Sequence, residues 1–386
     1  MPLTGIKVLD LTLARAGPTA VRQFADLGAT VVRVDGPPAN DWVDSRSSDY
    51  LNLHRNKRSL RLDLKSHEGK EVFLRLVDWA DVLVENFRPR VKHQLGIDYE
   101  TLSQRNPRLV YGSISGFGQD GPRADQGGVD QIAQGMSGLM SVTGEPGRGP
   151  MRVGTAIGDL SAGHFLAFGL LAALRERDIS GRGQWVQVSL IESLIGMLDF
   201  QVARWTIDGI VPGQEGNDHP TIAPIGVYPT RDGWVNIAAA SDKLWIRLCG
   251  AIGRSELADD PRFAARPDRY AHRDELNAII AAATSSLLTA DVCAALDAVG
   301  VPAGPIYTID QAMADPQVRH LGMTAEVEHS ERGSVDVIRQ PIVFSRTPAS
   351  VRLPAPVPGE NGDAILEELG LTTLADGFPA PMPGPA

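Results

Sequence analysis

The stretch Gly5-Ile6-Lys7-Val8-Leu9-Asp10-Leu11-Thr12, continued by Pro18–Leu27 and then Thr30-Val31-Val32-Arg33-Val34, decides the fold. Lys7–Leu11 is a short apolar run of strand length. Pro18–Leu27 has helical spacing, with a proline in the first turn, where the N–H it lacks would have no partner anyway. Thr30–Val34 is β-branched and predicts a second strand. Strand, helix and strand at this spacing form a βαβ unit, whose right-handed crossover makes the two strands parallel. The pattern continues with strands at Leu60–Leu62, Val82–Glu85 and Leu109–Ser115 and a helix over Glu68–Trp79, after a polar loop reaching Tyr50. The fold class read from this is α/β, with an open doubly wound, Rossmann-like sheet. Ligands of such sheets sit at the C-terminal edge of the strands.

Further along, Val129–Ser141 has helical periodicity. Leu160–Arg177 predicts a long apolar helix closed by Ser180-Gly181-Arg182-Gly183, Gln184–Ser189 a strand, and Leu190–Ile207 another buried helix. The composition breaks at Gly213–Pro224. Beyond it, Ile225–Tyr228 and Trp234–Ala238 flank Thr230-Arg231-Asp232-Gly233, a hairpin signal. Helical segments fill most of 242–298, and Val301–Pro305 reads as a turn-rich stop. The expected organisation is a large domain over 1–221 plus 326–386 and a smaller inserted α+β domain over 222–325. A helix is expected around Ala364–Gly370. The alternating Pro379, Pro381, Pro383 and Pro385 read as a disordered end.

Composition narrows the function. The 386 residues are 43% apolar and 22% charged, with 37 Lys plus Arg against 47 Asp plus Glu and a net charge of −10. That balance fits an ordinary globular protein and suits neither nucleic acid nor an anionic membrane, which need clustered cations. Cys249 and Cys293 cannot build a disulfide framework or a Cys-rich zinc site, which points to a reducing, cytoplasmic setting. Met1–Gly5 leads straight into the first strand, so no signal peptide is expected. The most apolar run, Phe165–Leu174, is too short for the roughly 20 residues that span a bilayer and reads as core helix.

Few motifs carry chemistry. Gly116-Phe117-Gly118-Gln119-Asp120-Gly121 matches G-x-G-x-x-G after a strand, but Pro122, Arg123, Ala124 and Asp125 follow where a dinucleotide site needs an apolar helix. Asp159, between Gly158 and Gly163 at the start of the apolar helix, reads either as an N-cap or as an ionised carboxylate able to attack an acyl group. Arg15 lies just past the first strand, at the ligand edge, where a guanidinium can bind a carboxylate or phosphate. His54-Arg55-Asn56-Lys57-Arg58 and Lys65 make a basic run, read as an anion site or a solvated loop. The histidines lack metal-ligand spacing, so no catalytic metal is expected, and there is no G-x-S-x-G elbow.

Taken in order along nearly the whole chain, these segments resemble the family III CoA-transferases. The likeness is carried by Gly5–Thr12, Ala16-Gly17-Pro18, Leu27-Gly28-Ala29, Asn56-Lys57-Arg58-Ser59, Leu62-Asp63-Leu64-Lys65 and Glu85-Asn86-Phe87-Arg88-Pro89. It continues through Gly116-Phe117-Gly118, Gly158-Asp159, Gly181-Arg182-Gly183-Gln184, Gly300–Pro305, Asp315–Val318 and Pro358-Gly359-Glu360. The resemblance implies an interlocked homodimer and places Asp159 at the catalytic aspartate. The nucleophile would pass CoA from an acyl-CoA to a free acid through an aspartyl anhydride and an aspartyl-CoA thioester. It implies CoA contacts at Arg15, Ala16, Leu62, Lys65, Asn86, Phe87 and Arg88, with Asp130 close to the reacting centre, and no permanently bound cofactor.

Four departures stand out. Gly36 replaces an arginine that some members place beside the adenine, Gln94 replaces another basic contact, and the glycine-rich lid of the formyl-CoA:oxalate enzymes is absent around 213–224. Arg15 replaces a neutral residue, which points to a carboxylate on the acid substrate. Succinyl-CoA with a short dicarboxylic acid is the expected pairing. The alternative is an α-methylacyl-CoA racemase, which resembles this chain but pairs a histidine with the aspartate. Val129 stands at that histidine position and cannot carry a proton.

Overall fold

The computed structural model describes residues 1–38, 44–373 and 379–381. Six parallel strands, β1 (Lys7–Asp10), β2 (Thr30–Asp35), β3 (Lys57–Arg61), β4 (Val82–Glu85), β5 (Val110–Ser115) and β6 (Trp185–Ser189), form one sheet in the order β3-β2-β1-β4-β5-β6. The order reverses between β1 and β4, and their C-terminal ends open the crevice where doubly wound sheets bind ligands. Alternation along each strand supplies both faces. Val8, Val31, Val82 and Val110 pack on helices Ala16–Asp26 and Ile157–Ser180, while Leu9, Val32, Leu83 and Tyr111 pack on helix His67–Trp79 and on Leu102. Strands buried on both faces therefore read as unbroken apolar runs.

Helix Ile157–Ser180 is closed by Gly181 at φ 77°, a left-handed stop that suits glycine. It approaches helix Ala16–Asp26 so closely that a Cβ on Gly163 would lie 2.7 Å from the Ala16 carbonyl oxygen. By length and composition this helix could cross a membrane, and half of its most apolar window is buried in the structure. Ala162, Leu166, Leu170 and Ala173 face the core, but Phe165, Phe168 and Ile179 are exposed. The expected buried core helix thus has one buried and one open apolar face.

The chain divides into two compact units, 1–139 with 152–210 and 322–386, and 140–151 with 211–321. The second unit holds an antiparallel sheet of β7 (Ile225–Pro229), β8 (Trp234–Ala238) and β9 (Ala303–Pro305), packed with helices around Trp245, Phe263, Leu276 and Leu296. Its edges differ from the expected 222 and 325. Segment 140–151 joins it because Gln214 Nε2 donates to the Thr143 and Gly149 carbonyls and the Gly216 N–H donates to Gly144. Residues 211–218 belong with it because Arg273 pairs with Glu215 and Asn277 donates to Asp218.

Other boundaries move for local reasons. The helical reading of Val129–Ser141 breaks at Gly138, φ 89°, and that of Leu190–Ile207 splits at Asp199, φ 40°, into Leu190–Leu198 and Phe200–Thr206. The Val301–Pro305 stop contains β9. The polar loop before Tyr50 holds a helix, Ser48–His54, started by the Ser47 hydroxyl accepting the Tyr50 N–H. A hairpin of β10 (Thr324–His329) and β11 (Gly333–Ile338) was absent from the sequence reading. In the proline-rich tail, Pro379–Pro381 pairs antiparallel with Leu371–Thr373, and Pro383 and Pro385 lie outside the described residues.

Candidate active site

A cavity of about 700 Å³ opens at the C-terminal ends of β1 to β4. Its lining includes Leu11, Leu13 and Arg15 after β1, Gly36 and Pro37 after β2, Leu62 and Lys65 after β3, Phe87 after β4, and Asp159. Five of the expected site residues, Arg15, Leu62, Lys65, Phe87 and Asp159, therefore share one cavity.

The other expected residues sit around it. Asn86 does not line the cavity. Its side chain accepts the Leu13 N–H at 2.9 Å and donates to the Leu13 carbonyl at 2.7 Å, clamping the loop that carries Arg15. Ala16 is buried at the start of its helix, against Gly163. Arg88 is exposed at the start of helix Pro89–Leu95, with its guanidinium beside Gly127. Asp130 is buried under the start of the 157–180 helix, where its Oδ1 accepts the Gly158 N–H at 2.8 Å and its Oδ2 accepts from Gln134 at 2.7 Å. It holds the first turn in place and is not part of the cavity wall.

Asp159 itself does not cap. The N-cap position is Ala156, and the Asp159 carboxylate accepts no hydrogen bond among the described residues. The cap reading therefore fails and the carboxylate is free to react. Partial burial, then the charge of Asp130, raise its pKa to about 6, with Arg15 pulling it down and Asp49 pushing it up. At pH 7 that leaves roughly ten ionised carboxylates for each neutral one, more basic than an ordinary Asp.

The basic run at 54–58 proves to be neither an anion site nor a solvated loop. Arg55 pairs with Asp26 at 2.6 Å and Lys57 with Asp10 at 2.8 Å, all four side chains at most 2% exposed, and Arg58 pairs with Glu368. Buried cations of this kind exist only with partners, so they cannot replace the basic contacts missing at Gly36 and Gln94. His54 accepts from Lys57 and Arg33 in the cavity wall, and burial with those two cations alongside pushes its pKa well down, leaving it neutral.

Sequence reasoning missed Arg33, Asp35 and Asp49 in the same wall. Arg33 is bound to Asp35 at 2.6 Å and lies over the Tyr50 ring, and Arg15 is held by Asp49 at 2.8 Å. The available signal for Asp49 was Ser47 before the apolar spacing of Tyr50, Leu51 and Leu53, an N-cap pattern. Among the cations lining the cavity, only Lys65 makes no side-chain contact with the described residues.

The model of CoA-transferase family III matches residues 3–362. The chain belongs to that family. A succinate–glutarate CoA-transferase of Agrobacterium fabrum is 39% identical, covering 95% of this chain and 96% of its own. A succinyl-CoA–D-citramalate CoA-transferase of Chloroflexus aurantiacus is 36% identical over 96% of this chain and 95% of its own. The crystal structure of a CaiB/BaiF family protein from Brucella suis superposes with a TM-score of 0.85 at 36% identity, covering 96% of this chain and 99% of that one. The protein is a CoA-transferase.

In the glycine fingerprint at 116–121, Gly116 has a packing role, since a Cβ on it would lie 2.4 Å from Gly128 Cα. Loop rather than helix follows, so a pyrophosphate would meet no helix N-terminus. Val129, at the position of the racemase histidine, is 63% exposed just ahead of helix Asp130–Met136. Among the described residues one triad, His93, Asp98 and Glu100, comes close enough to hold a metal, but Asp98 is engaged in capping the Thr101 N–H. None of the three lines the cavity.

Proposed function

We propose that this enzyme moves CoA from succinyl-CoA to a short dicarboxylic acid, with Asp159 as the covalent nucleophile. The observation that carries the reading is the Asp159 carboxylate, unpaired, partly buried and raised to about 6, in the cavity wall at the sheet's ligand edge. The succinyl-CoA–D-citramalate CoA-transferase among its relatives supports succinyl-CoA as donor.

In the proposed sequence an Asp159 oxygen attacks the thioester carbonyl, forming a C–O bond and expelling CoA thiolate. The thiolate then attacks the aspartyl carbonyl of this anhydride, releasing the donor acid as a carboxylate and leaving aspartyl-CoA. The acceptor carboxylate attacks that thioester, and the thiolate leaves again. Finally the thiolate attacks the acceptor carbonyl, giving the new acyl-CoA and free Asp159. The oxyanions need N–H donors, and the Asp159 N–H, in the first helical turn, has no partner among the described residues.

Leu62, Lys65, Phe87 and Arg88 would hold CoA, Lys65 and Arg88 through its phosphates, while Asn86 positions the loop that carries Arg15 and Ala16 packs beneath it. The enzyme would act as a homodimer, a proposal supported by exposed Phe168, Ile179, Met197, Phe200 and Trp205 in the first unit. Free Cys249 and Cys293 fit a cytoplasmic enzyme.

Intact-protein mass spectrometry after adding succinyl-CoA tests the reading. A hydroxylamine-labile, CoA-sized adduct on the wild type and none on Asp159→Ala is expected. No adduct, with α-proton exchange into a 2-methylacyl-CoA in heavy water, would replace the proposal by racemase chemistry.

A further inference from the structure

A second cavity, of about 600 Å³, lies on the other side of the Arg15–Asp49 ion pair. It is lined by Ser48, Leu51 and Asn52 of the short helix and by Arg332, Val335 and Val337, with Asp336 and Ile338, of the hairpin. Arg15 and Asp49 border both cavities, so their ion pair forms the wall between them.

We propose that this second cavity is the site of the free carboxylic acid, entered separately from CoA, and that Arg332 and Arg15 recognise the acid's far carboxylate. The inference rests on the proposed covalent pathway. In the aspartyl-CoA state CoA occupies the first cavity while one acid leaves and another arrives. The acid therefore needs its own route to Asp159, which lines only the first cavity, and parting the Arg15–Asp49 ion pair would open one.

Two observations fit a short dicarboxylate. The apolar lining of Leu51, Val335, Val337 and Ile338 suits a short carbon chain. Arg15 uses only Nη2 on Asp49, and Arg332 uses only Nη1 on the Arg46 carbonyl, so the rest of each guanidinium is open to a carboxylate among the described residues. Asp336 and Asp49 border the same space and would repel a carboxylate placed beside them, which favours the Arg332 side.

The test uses the full-length enzyme in two stages: formation of the CoA adduct from succinyl-CoA, then its discharge by glutarate or by butyrate. Arg332→Gln removes the cation, and Ile338→Trp, at a position 46% exposed, fills the cavity without touching the core. Both variants should still form the adduct, more slowly than the wild type, because the succinate released in that step leaves through the same site. Arg332→Gln should raise KM for glutarate by about tenfold or more, the worth of a charged hydrogen bond, and leave butyrate nearly unchanged. Ile338→Trp should slow discharge by both acids. Normal adduct formation with glutarate KM within twofold of wild type in both variants would overturn the second site and leave the covalent pathway standing. Equal effects of Arg332→Gln on glutarate and butyrate would overturn recognition of the far carboxylate. Failure of the wild type to form any adduct would overturn the pathway itself.

Discussion

Replacing Asp159 by Asn should abolish transfer and yet stabilise the protein at neutral pH. The folded-state pKa, raised from 3.8 to about 6, means that the native site holds a proton more tightly than the unfolded chain does. Between those two values the native state binds more protons, so stability falls as pH rises through the window and is level above it. Each factor of ten in proton affinity is worth about 1.36 kcal/mol, which puts the cost of the ionised carboxylate at about 3 kcal/mol near pH 7.5. Asp159 is partly exposed, and solvent screening reduces this to about 1–2 kcal/mol. Asparagine keeps the shape and carries no charge, so the variant should recover that amount. Urea unfolding at pH 7.5 and at pH 4 is the assay. The midpoint of Asp159→Asn should exceed that of wild type at pH 7.5, and at pH 4 the gap should shrink to under about 1 kcal/mol, since native Asp159 is then neutral. A variant no more stable than wild type at pH 7.5, or a gap that stays constant with pH, would refute the reasoning.

Asp130→Asn removes the neighbouring charge that raises the Asp159 pKa while leaving an oxygen for the Gly158 N–H. The acid limb of kcat/KM, near pH 6 in the wild type, should therefore move to lower pH, and an unchanged or raised limb would count against this electrostatic account. Gly163→Ala places a methyl 2.7 Å from the Ala16 carbonyl and 2.8 Å from Thr19 Cβ. Forcing the two helices apart should cost about 1–3 kcal/mol. An unchanged urea midpoint would show that the contact yields freely.

Much of the fold was legible because it is written in short windows. Val8 and Leu9, adjacent in sequence, bury on opposite faces, and that alternation with the helical spacing of 18–27 suffices for a doubly wound sheet and its ligand edge. Arg15 could be placed at that edge because it follows a parallel strand, whereas Lys65 and Phe87 were placed beside it by the resemblance to the family. Helix Ser48–His54 was hidden because one turn and a half gives too little periodicity to stand out from a polar loop.

What the sequence by itself determined is the parallel sheet and the edge at which the chemistry sits, since periodicity and chirality act locally. Which charges are free was decided only by tertiary structure. Lys57 and Arg55 look like anion ligands in the chain, but burial beside Asp10 and Asp26, 47 and 29 residues away, takes them out of use. From its neighbours in the chain alone, Asp159 reads first as a cap. Placing Ala156 at the cap position left the carboxylate unpaired, and partial burial, then Asp130 and Asp49, raised its pKa to about 6 against the pull of Arg15. Desolvation and Coulomb interaction depend on distance through space, which no window of sequence contains.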